Sequence, residues 1–223
     1  QFTPSYFSKR SGFVINQLSG GGCEHMGNFP TFPVKGKLKM SPDNILNYRI
    51  NISEEKGHAG YYEAKVQEDI HAKLTVTERT GMASYEYPAD QQYGTVIIGG
   101  GISATPIEQA AIVITAPNKC EGYAEGGNFC GLRTPYKVYF VAEFDTDALE
   151  SGTWKRNELK PNTTFAEGEY SGVYFTFDVD KKKNVQYKIG VSYVSVENAR
   201  ENLKAENTGW DFLQIQNQAE SKW

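Results

Sequence analysis

The stretch "YKVYFVAEF" at residues 136–144 decides the fold class. Its apolar side chains recur at every second position, so Tyr136, Val138, Phe140, Ala142 and Phe144 share one face. This period of two matches a β-strand, in which successive side chains point to opposite faces of the sheet. A helix would need apolar residues three and four positions apart. The stretch therefore predicts a strand with one face in a core.

The same alternation occurs in "IHAKLTVTE" (70–78), "GVYFTFDV" (172–179) and "VQYKIGVSYVSV" (185–196). Further strands are predicted at 48–53, 61–67, 82–87, 95–98 and 111–115. Turn-forming segments such as "KMSPDN" (39–44) and "YPADQQYG" (87–94) separate the strands. Roughly ten strands without helical spacers indicate an all-β fold, an antiparallel β-sandwich of two sheets.

The pattern changes near Ser195. "SVENARENLKAEN" (195–207) is rich in helix formers, and Ser195 is the predicted N-cap of a helix. We therefore predict a β-sandwich domain over residues 1–195 and helices over residues 196–223, with no helix before about Val196.

A second helix is predicted from Trp210 to Trp223, because Thr208 precedes Asp211 at the spacing of a capping box. Its apolar residues follow at helical intervals and form a stripe of Phe212, Ile215, Ala219 and Trp223. The stripe reaches the last residue, so we expect the helix to lead into a further domain and to bury an interface with it.

The charge balance and the lengths of the apolar stretches exclude several classes of protein. The 223 residues carry 23 Lys and Arg against 27 Asp and Glu, a net charge of −4. The charges are interspersed, whereas a nucleic-acid surface needs clustered basic residues. No stretch approaches the ~18 apolar residues of a membrane helix, and no signal peptide opens the chain. We expect no nucleic-acid partner, no membrane partner, and a chain that has been processed or cut from a longer one.

"QLSGGGCEHMGNFP" (17–30) is the candidate functional loop. Its glycines indicate a sharp bend and a close approach to a ligand or to another strand, and the residues alone leave both open. Ser19 lacks the Gly-x-Ser-x-Gly context of a nucleophile elbow. Cys23 and His25 are two residues apart, too close for a normal cysteine–histidine dyad, and a metal site would lack a second ligand cluster. We assign no catalytic residue and no metal ligand to this chain.

Other candidates are weaker. "IIGGGIS" (97–103) lacks the Lys-Ser/Thr of a phosphate loop, so we predict a strand end where backbones approach closely. Trp154, Tyr123 and Phe129 are predicted to serve packing rather than sugar stacking. Glycoside hydrolysis needs paired carboxylates, but the acids are scattered as Glu24, Glu108, Glu121, Glu125, Glu143 and Asp145.

Segments spread over nearly the whole chain resemble glycoside hydrolase family 92, the exo-acting α-mannosidases. They are "QLSGGGCEHMGNFPTFP" (17–33), "GYYEAKV" (60–66), "IHAKLTVTERTGMASYEYP" (70–88), "GGNFCG" (126–131), "YKVYFVAEF", "GTW" (152–154), "KIGVSYVSVENARENLKAE" (188–206) and "GWDF" (209–212). The resemblance implies an N-terminal β-sandwich of the supersandwich type also found in galactose mutarotases. It also implies that residues 196–223 are a helical linker to an (α/α)6-barrel catalytic domain, which the chain lacks.

In that family the barrel supplies the general acid, the general base and a Ca²⁺ ion, and hydrolysis inverts the anomeric carbon. The resemblance thus implies a non-catalytic domain that shapes the mannoside pocket, with α-mannoside glycans and the barrel as partners and Ca²⁺ ligands outside this chain. The chain alone is expected to be inactive. The expected location is secreted, periplasmic or at the cell surface, of bacterial type. The alternatives are a free-standing lectin-like carbohydrate-binding module and a purely structural module.

The resemblance places the substrate pocket at Gln17, Ser19, Gly20, Gly22, Cys23, Glu24, His25, Gly27 and Asn128. Two positions depart from the family pattern, because Gln17 replaces a histidine and Asn28 replaces an aspartate. Cys23 and Cys130 are expected to lie near each other on the face toward the barrel. Their disulfide is left open, because Cys120 competes for Cys130.

Overall fold

The computed structural model describes residues 12–17, 26–43, 52–103, 105–127, 131, 133 and 135–222. Within these ranges the strands pair antiparallel throughout. One sheet has nine strands, in the spatial order β14 (Phe165–Glu167), β9 (Ile107–Ala116), β10 (Lys119–Gly126), β11 (Tyr136–Phe144), β16 (Asn184–Ser192), β7 (Thr80–Glu86), β6 (Ile70–Val76), β5 (Tyr61–Val66) and β4 (Ile52–His58).

The second sheet has five strands, in the order β13 (Glu158–Pro161), β12 (Glu150–Lys155), β15 (Ser171–Asp178), β8 (Tyr93–Ile98) and β3 (Thr31–Lys35). A short ribbon of β1 (Asn16–Gln17) and β2 (Met26–Asn28) stands apart from both sheets. Residues 48–51 of the strand predicted at 48–53 lie outside the described residues, and β4 begins at Ile52.

The core lies between the two sheets, where the period-two alternation predicted it. Phe144 of β11 stands against Phe175 and Phe177 of β15, with ring centroids 4.9 and 5.0 Å apart. All three rings are buried, as are the alternate residues Val138, Phe140 and Val173 in the same strands. The predicted antiparallel two-sheet sandwich is confirmed.

The glycine triplet at 99–101 follows the end of β8, as predicted. A Cβ placed on Gly101 would lie 1.9 Å from the carbonyl oxygen of Gly168, a separation that no side chain tolerates. The triplet therefore serves close backbone packing.

The first helix, α1 (Val196–Glu206), begins where the sequence predicts. Ser195 is its N-cap, and the Ser195 hydroxyl oxygen accepts a hydrogen bond from the Asn198 backbone N–H at 3.1 Å. Ala199 and Leu203 pack against Val141, a residue on the outer face of the nine-stranded sheet. In the described part of the chain, α-helix occurs only from Val196 onward, as expected.

The second helix, α2 (Phe212–Glu220), differs from its prediction in two ways. It begins at Phe212 rather than Trp210, because the Asp211 carboxylate accepts from the Gln214 backbone N–H at 3.0 Å and so is itself the N-cap. The capping box from Thr208 is therefore wrong. Neither described helix has the length and apolar character that a membrane crossing requires.

The apolar stripe of α2 packs on the sandwich itself. Phe212 and Ile215 cluster with Met82 of β7, and Ala219 is also buried. Gly60 makes this possible, since its φ is +84° and a Cβ there would lie 2.9 Å from the Ala219 methyl group. The sandwich covers these three residues in this chain, and the interface with a further domain stays a prediction. Trp223 lies outside the described residues.

Candidate functional site

The described ends of the candidate loop come together in the β1–β2 ribbon. Gln17 pairs with Met26, and Asn16 pairs with Asn28, across the ribbon. Residues 18–25 of the chain connect these paired ends. Side chains from several other segments join the ribbon, and we call the group the ribbon cluster: Asn16, Met26, Asn28, Ser103, Tyr136 and Tyr193.

Asn28 is the centre of the ribbon cluster. Its backbone N–H donates to Asn16 Oδ1 at 2.8 Å, which fixes the orientation of the Asn16 amide. Asn16 Nδ2 then donates to Asn28 Oδ1 at 3.1 Å, and the Tyr136 hydroxyl donates to the same oxygen at 2.7 Å. Asn28 is only 1% exposed, yet its Nδ2 is buried without a hydrogen-bond partner among the residues that the structure describes. Within them the amide is half satisfied, with two donors on its oxygen and no acceptor for its nitrogen.

The backbone of this stretch is held in a costly conformation. Met26 has a φ of 60° and Phe29 a φ of 55°, in the left-handed region that residues with a side chain rarely adopt. Each such residue costs on the order of 1–3 kcal/mol and persists only when its surroundings enforce it. Phe29 packs on Phe140 with ring centroids 4.2 Å apart, and Ser103 Oγ donates to the Met26 carbonyl at 3.0 Å. These contacts hold the strained turn in place.

Tyr136 and Tyr193 form the aromatic side of the ribbon cluster. Burial raises the pKa of the Tyr136 hydroxyl, so the hydroxyl keeps its proton and donates to Asn28. The Tyr193 ring meets Tyr136 edge-on, with centroids 6.4 Å apart and planes at 64°. The Tyr193 hydroxyl accepts from Asn16 Nδ2 at 3.4 Å. Apart from the Met26 thioether, the hydrogen-bonding side chains in the cluster are neutral amides and hydroxyls.

Two of the predicted pocket residues lie in this ribbon, and the others lie outside the described residues. Gln17 takes part through its backbone pairing, and Gly27, with a φ of 75°, lies between Met26 and Asn28. The undescribed ones are Ser19, Gly20, Gly22, Cys23, Glu24, His25 and Asn128. Cys130 is also outside, so the proximity of Cys23 and Cys130 stays a prediction.

Sequence reasoning missed most of the cluster. The sequence marks Asn28 as a departure from the family pattern but not as a pocket residue. The alternation places Tyr136 on the core face of its strand, and nothing in the sequence points to Asn16. Cys120 is a free, buried thiol in β10, so it does not compete for Cys130.

The candidate acids in the described residues are all paired with basic side chains. Their carboxylate oxygens lie 2.6–3.3 Å from the nearest nitrogen, in the pairs Glu108–Arg133, Glu121–Arg200, Glu125–Lys137, Glu143–Lys119 and Asp145–Lys182. Hydrolysis by two carboxylates needs both to be available in one pocket, whereas each of these five is engaged by a Lys or Arg. In the same residues, no three His, Cys, Asp or Glu side chains converge as a metal site requires.

The remaining aromatic candidates have packing roles where the structure describes them. Trp154 is fully buried in the core. Tyr123 lies beneath the Lys137 ammonium, which is 4.0 Å from the ring centroid. Phe129 lies outside the described residues.

A cavity of about 200 Å³ opens elsewhere, between residues 12–14 and strands β5 and β6. Its walls are largely apolar, with Phe13, Tyr62 and Leu74 among them, and none of the described residues that line it is acidic, basic or histidine. Polar groups of the kind that can orient a ligand lie in the ribbon cluster rather than around this cavity.

Comparison with known proteins gives a consistent result. Residues 5–192 match the glycosyl hydrolase family 92 N-terminal domain. A protein of Arthroderma benhamiae named an uncharacterized secreted glycosidase is 25% identical over 242 residues, which cover 97% of this chain and 31% of that protein.

Solved structures share the fold. A family 92 α-mannosidase of Bacteroides thetaiotaomicron superposes with a TM-score of 0.82 at 24% identity, over 95% of this chain and 30% of its own. A family 92 inverting mannosidase of the same species superposes with a TM-score of 0.76 at 20% identity, over 94% of this chain and 30% of that protein's chain. The chain thus spans about 30% of the length of these relatives.

Proposed function

The chain belongs to the glycosyl hydrolase family 92 N-terminal domain family, and from this premise we propose that it is the non-catalytic N-terminal domain of an inverting, Ca²⁺-dependent α-mannosidase. In the whole protein it forms one wall of the mannoside pocket, at the contact with the catalytic domain. The solved relatives, an α-mannosidase and an inverting mannosidase, support this substrate class and stereochemistry. The secreted relative supports export from the cell.

The unpartnered amide nitrogen of Asn28 is the observation that carries the proposal. A buried polar group without a hydrogen bond costs about 1–3 kcal/mol. The left-handed turn at Met26 and Phe29 adds to that cost. Costs of this kind accumulate where a structure serves binding rather than stability. They occur here at the ends of the loop that contains the predicted pocket residues.

The carboxylates support placing the chemistry elsewhere in the protein. An inverting glycosidase needs an acid at the leaving oxygen and a base that activates water, about 6.5–9.5 Å apart. The described candidate acids are each tied to a Lys or Arg. This chain's part is therefore to orient the sugar and exclude water, which aligns the substrate with groups on the other domain. Ca²⁺, held outside this chain, would fix the terminal mannose there.

The test compares the purified chain with the full-length protein on an activated aryl α-mannoside, with and without a Ca²⁺ chelator. We expect no turnover by the chain and chelator-sensitive turnover by the full-length protein. In the full-length protein, Asn28→Ala should lower kcat/KM, while Asn118→Ala, far from the ribbon on the β9–β10 turn, should not. Turnover by the isolated chain that is lost in Glu24→Gln or Glu125→Gln would overturn the proposal.

A further inference from the structure

Two adjacent exposed apolar side chains stand beside the ribbon cluster. Tyr193 is 52% exposed and Val194 is 71% exposed, between the end of β16 and the N-cap of α1. The other large apolar side chains exposed in the described residues are separate from one another along the chain: Met40, Val76, Leu149, Phe165 and Leu213. Single exposed residues of that kind are normal on a protein surface, whereas this pair adjoins the partly buried polar groups of the ribbon cluster, to which Tyr193 itself belongs.

The exposed Tyr193 ring is held rather than free. Its hydroxyl accepts from Asn16 Nδ2 at 3.4 Å and lies 3.5 Å from the Met26 sulfur. Its edge packs on Tyr136, whose own hydroxyl is bonded to Asn28. A tyrosine has only two side-chain torsions, and these contacts restrain both. Little conformational entropy remains to be lost when a ligand stacks on the ring.

The chemistry around Tyr193 suits a neutral polyhydroxylated ligand. The ring offers an apolar face for the C–H side of a hexose, and Val194 extends that surface. The neighbouring polar groups in the ribbon cluster, Asn16 and Ser103 among them, are neutral donors and acceptors. An ionic ligand would require an opposite charge, which no member of the cluster carries.

We propose that Tyr193 is a specificity-determining residue that stacks on the sugar next to the terminal mannose, the part of the glycan that leaves on hydrolysis. The inference rests on the proposed function. The Tyr193 ring is 52% exposed, whereas Tyr136 beside it is partly buried and Asn28 is 1% exposed, so the ring stands at the rim of the site rather than in its depth. If the terminal mannose lies in the depth of the site, the sugar linked to it projects outward and reaches Tyr193 at the rim.

The experiment uses the full-length protein and two substrates. An α-linked mannobiose carries the second sugar, whereas α-mannosyl fluoride has no sugar in the leaving group. Tyr193→Ala should lower kcat/KM for the mannobiose by about two- to tenfold, the effect of one aromatic contact, and leave the fluoride within about twofold. Tyr193→Phe keeps the ring and should retain mannobiose activity. Phe165→Ala is the matched control, because Phe165 is an aromatic residue with a similar exposure of 54% on the edge strand β14.

The outcomes separate the two proposals. Equal losses on both substrates, or no loss on either, would overturn the stacking role while leaving the proposed function intact. If the wild-type protein cleaves neither mannoside, the proposed function fails and the stacking role fails with it. Tyr193→Leu guards against misfolding, since it keeps an apolar side chain without an aromatic face. It should show the same selective loss as the alanine variant.

Discussion

Gly190→Ala tests whether α1 is packed directly on the backbone of β16. A Cβ at Gly190 would lie 2.5 Å from the Ala199 carbonyl oxygen and 2.9 Å from the Leu203 Cβ. A helix carbonyl cannot rotate away as a side chain can, so either the helix or the strand must shift. Overpacking of this kind lowers the free energy of unfolding by about 1–3 kcal/mol. Alanine also reduces the conformational entropy of the unfolded chain, which offsets about 0.4–1 kcal/mol of that loss. Because the new Cβ clashes with a backbone oxygen, we expect Gly190→Ala to lower the free energy of unfolding by about 2 kcal/mol in all.

The measurements are urea unfolding and thermal unfolding of the chain, both followed by tryptophan fluorescence. For a chain of this length, 2 kcal/mol corresponds to a Tm lower by about 4–8 °C. Gly209→Ala is the matched control, because the nearest atom to its new Cβ is the Asp211 nitrogen at 4.0 Å. That variant should match the wild type or exceed it slightly. Equal stability of the two variants would refute the close packing of α1 on the sheet.

Further predictions concern single groups. Burial raises the pKa of Glu206, but hydrogen bonds from Thr77 and Arg79 outweigh it and hold the pKa below the ordinary value. At pH 7 the wild type should therefore have a larger free energy of unfolding than Glu206→Gln, and this difference should be lost as the pH falls below about 4. Urea unfolding of both proteins at pH 7 and below about pH 4 measures the difference. In a variant without the other two cysteines, Cys120 should react with Ellman's reagent only after unfolding, because burial raises the pKa of its thiol; rapid native labelling would contradict this. Ser195→Ala should destabilise the chain by about 1 kcal/mol in urea unfolding, through loss of the helix cap.

The sequence predicts the long strands well because each carries its own evidence. In β11 and β15 the apolar alternation continues over eight or nine residues, enough to identify both the strand and its buried face. Short strands carry no such pattern. β3 even contains Pro33, which a sheet tolerates there because β3 lies at the edge of the five-stranded sheet. Its pairing with β8 depends on the assembled sheet rather than on local sequence.

The candidate site is less predictable, because its key contact joins distant positions. The Tyr136 hydroxyl and Asn28 Oδ1 are 108 residues apart in the chain. The alternation correctly assigned Tyr136 to the core-facing side of β11, yet its hydroxyl reaches out of the core at the strand's first residue. The glycine-rich motif indicated where the chain turns. Only the register of β1 with β2 places Asn16 beside Asn28 and builds the network.

Lys188 shows why alternation alone cannot tell a solvated face from a covered one. It lies in β16 on the side opposite Tyr187 and Ile189, where a strand rule places it in water, yet it is only 5% exposed. Its ammonium donates to the Asn207 carbonyl at 3.0 Å and lies 4.4 Å from the Trp210 ring centroid. Burial lowers the pKa of Lys188, and nearby Glu143 partly opposes that shift. The connection between α1 and α2 thus covers the charge, so the helices make a second packed layer on the sheet. The alternation in β16 would be the same without this layer. The apolar stripe of α2 indicates that the helix buries one face, and Gly60 and Gly190 are the positions at which the sheet lets the helices approach.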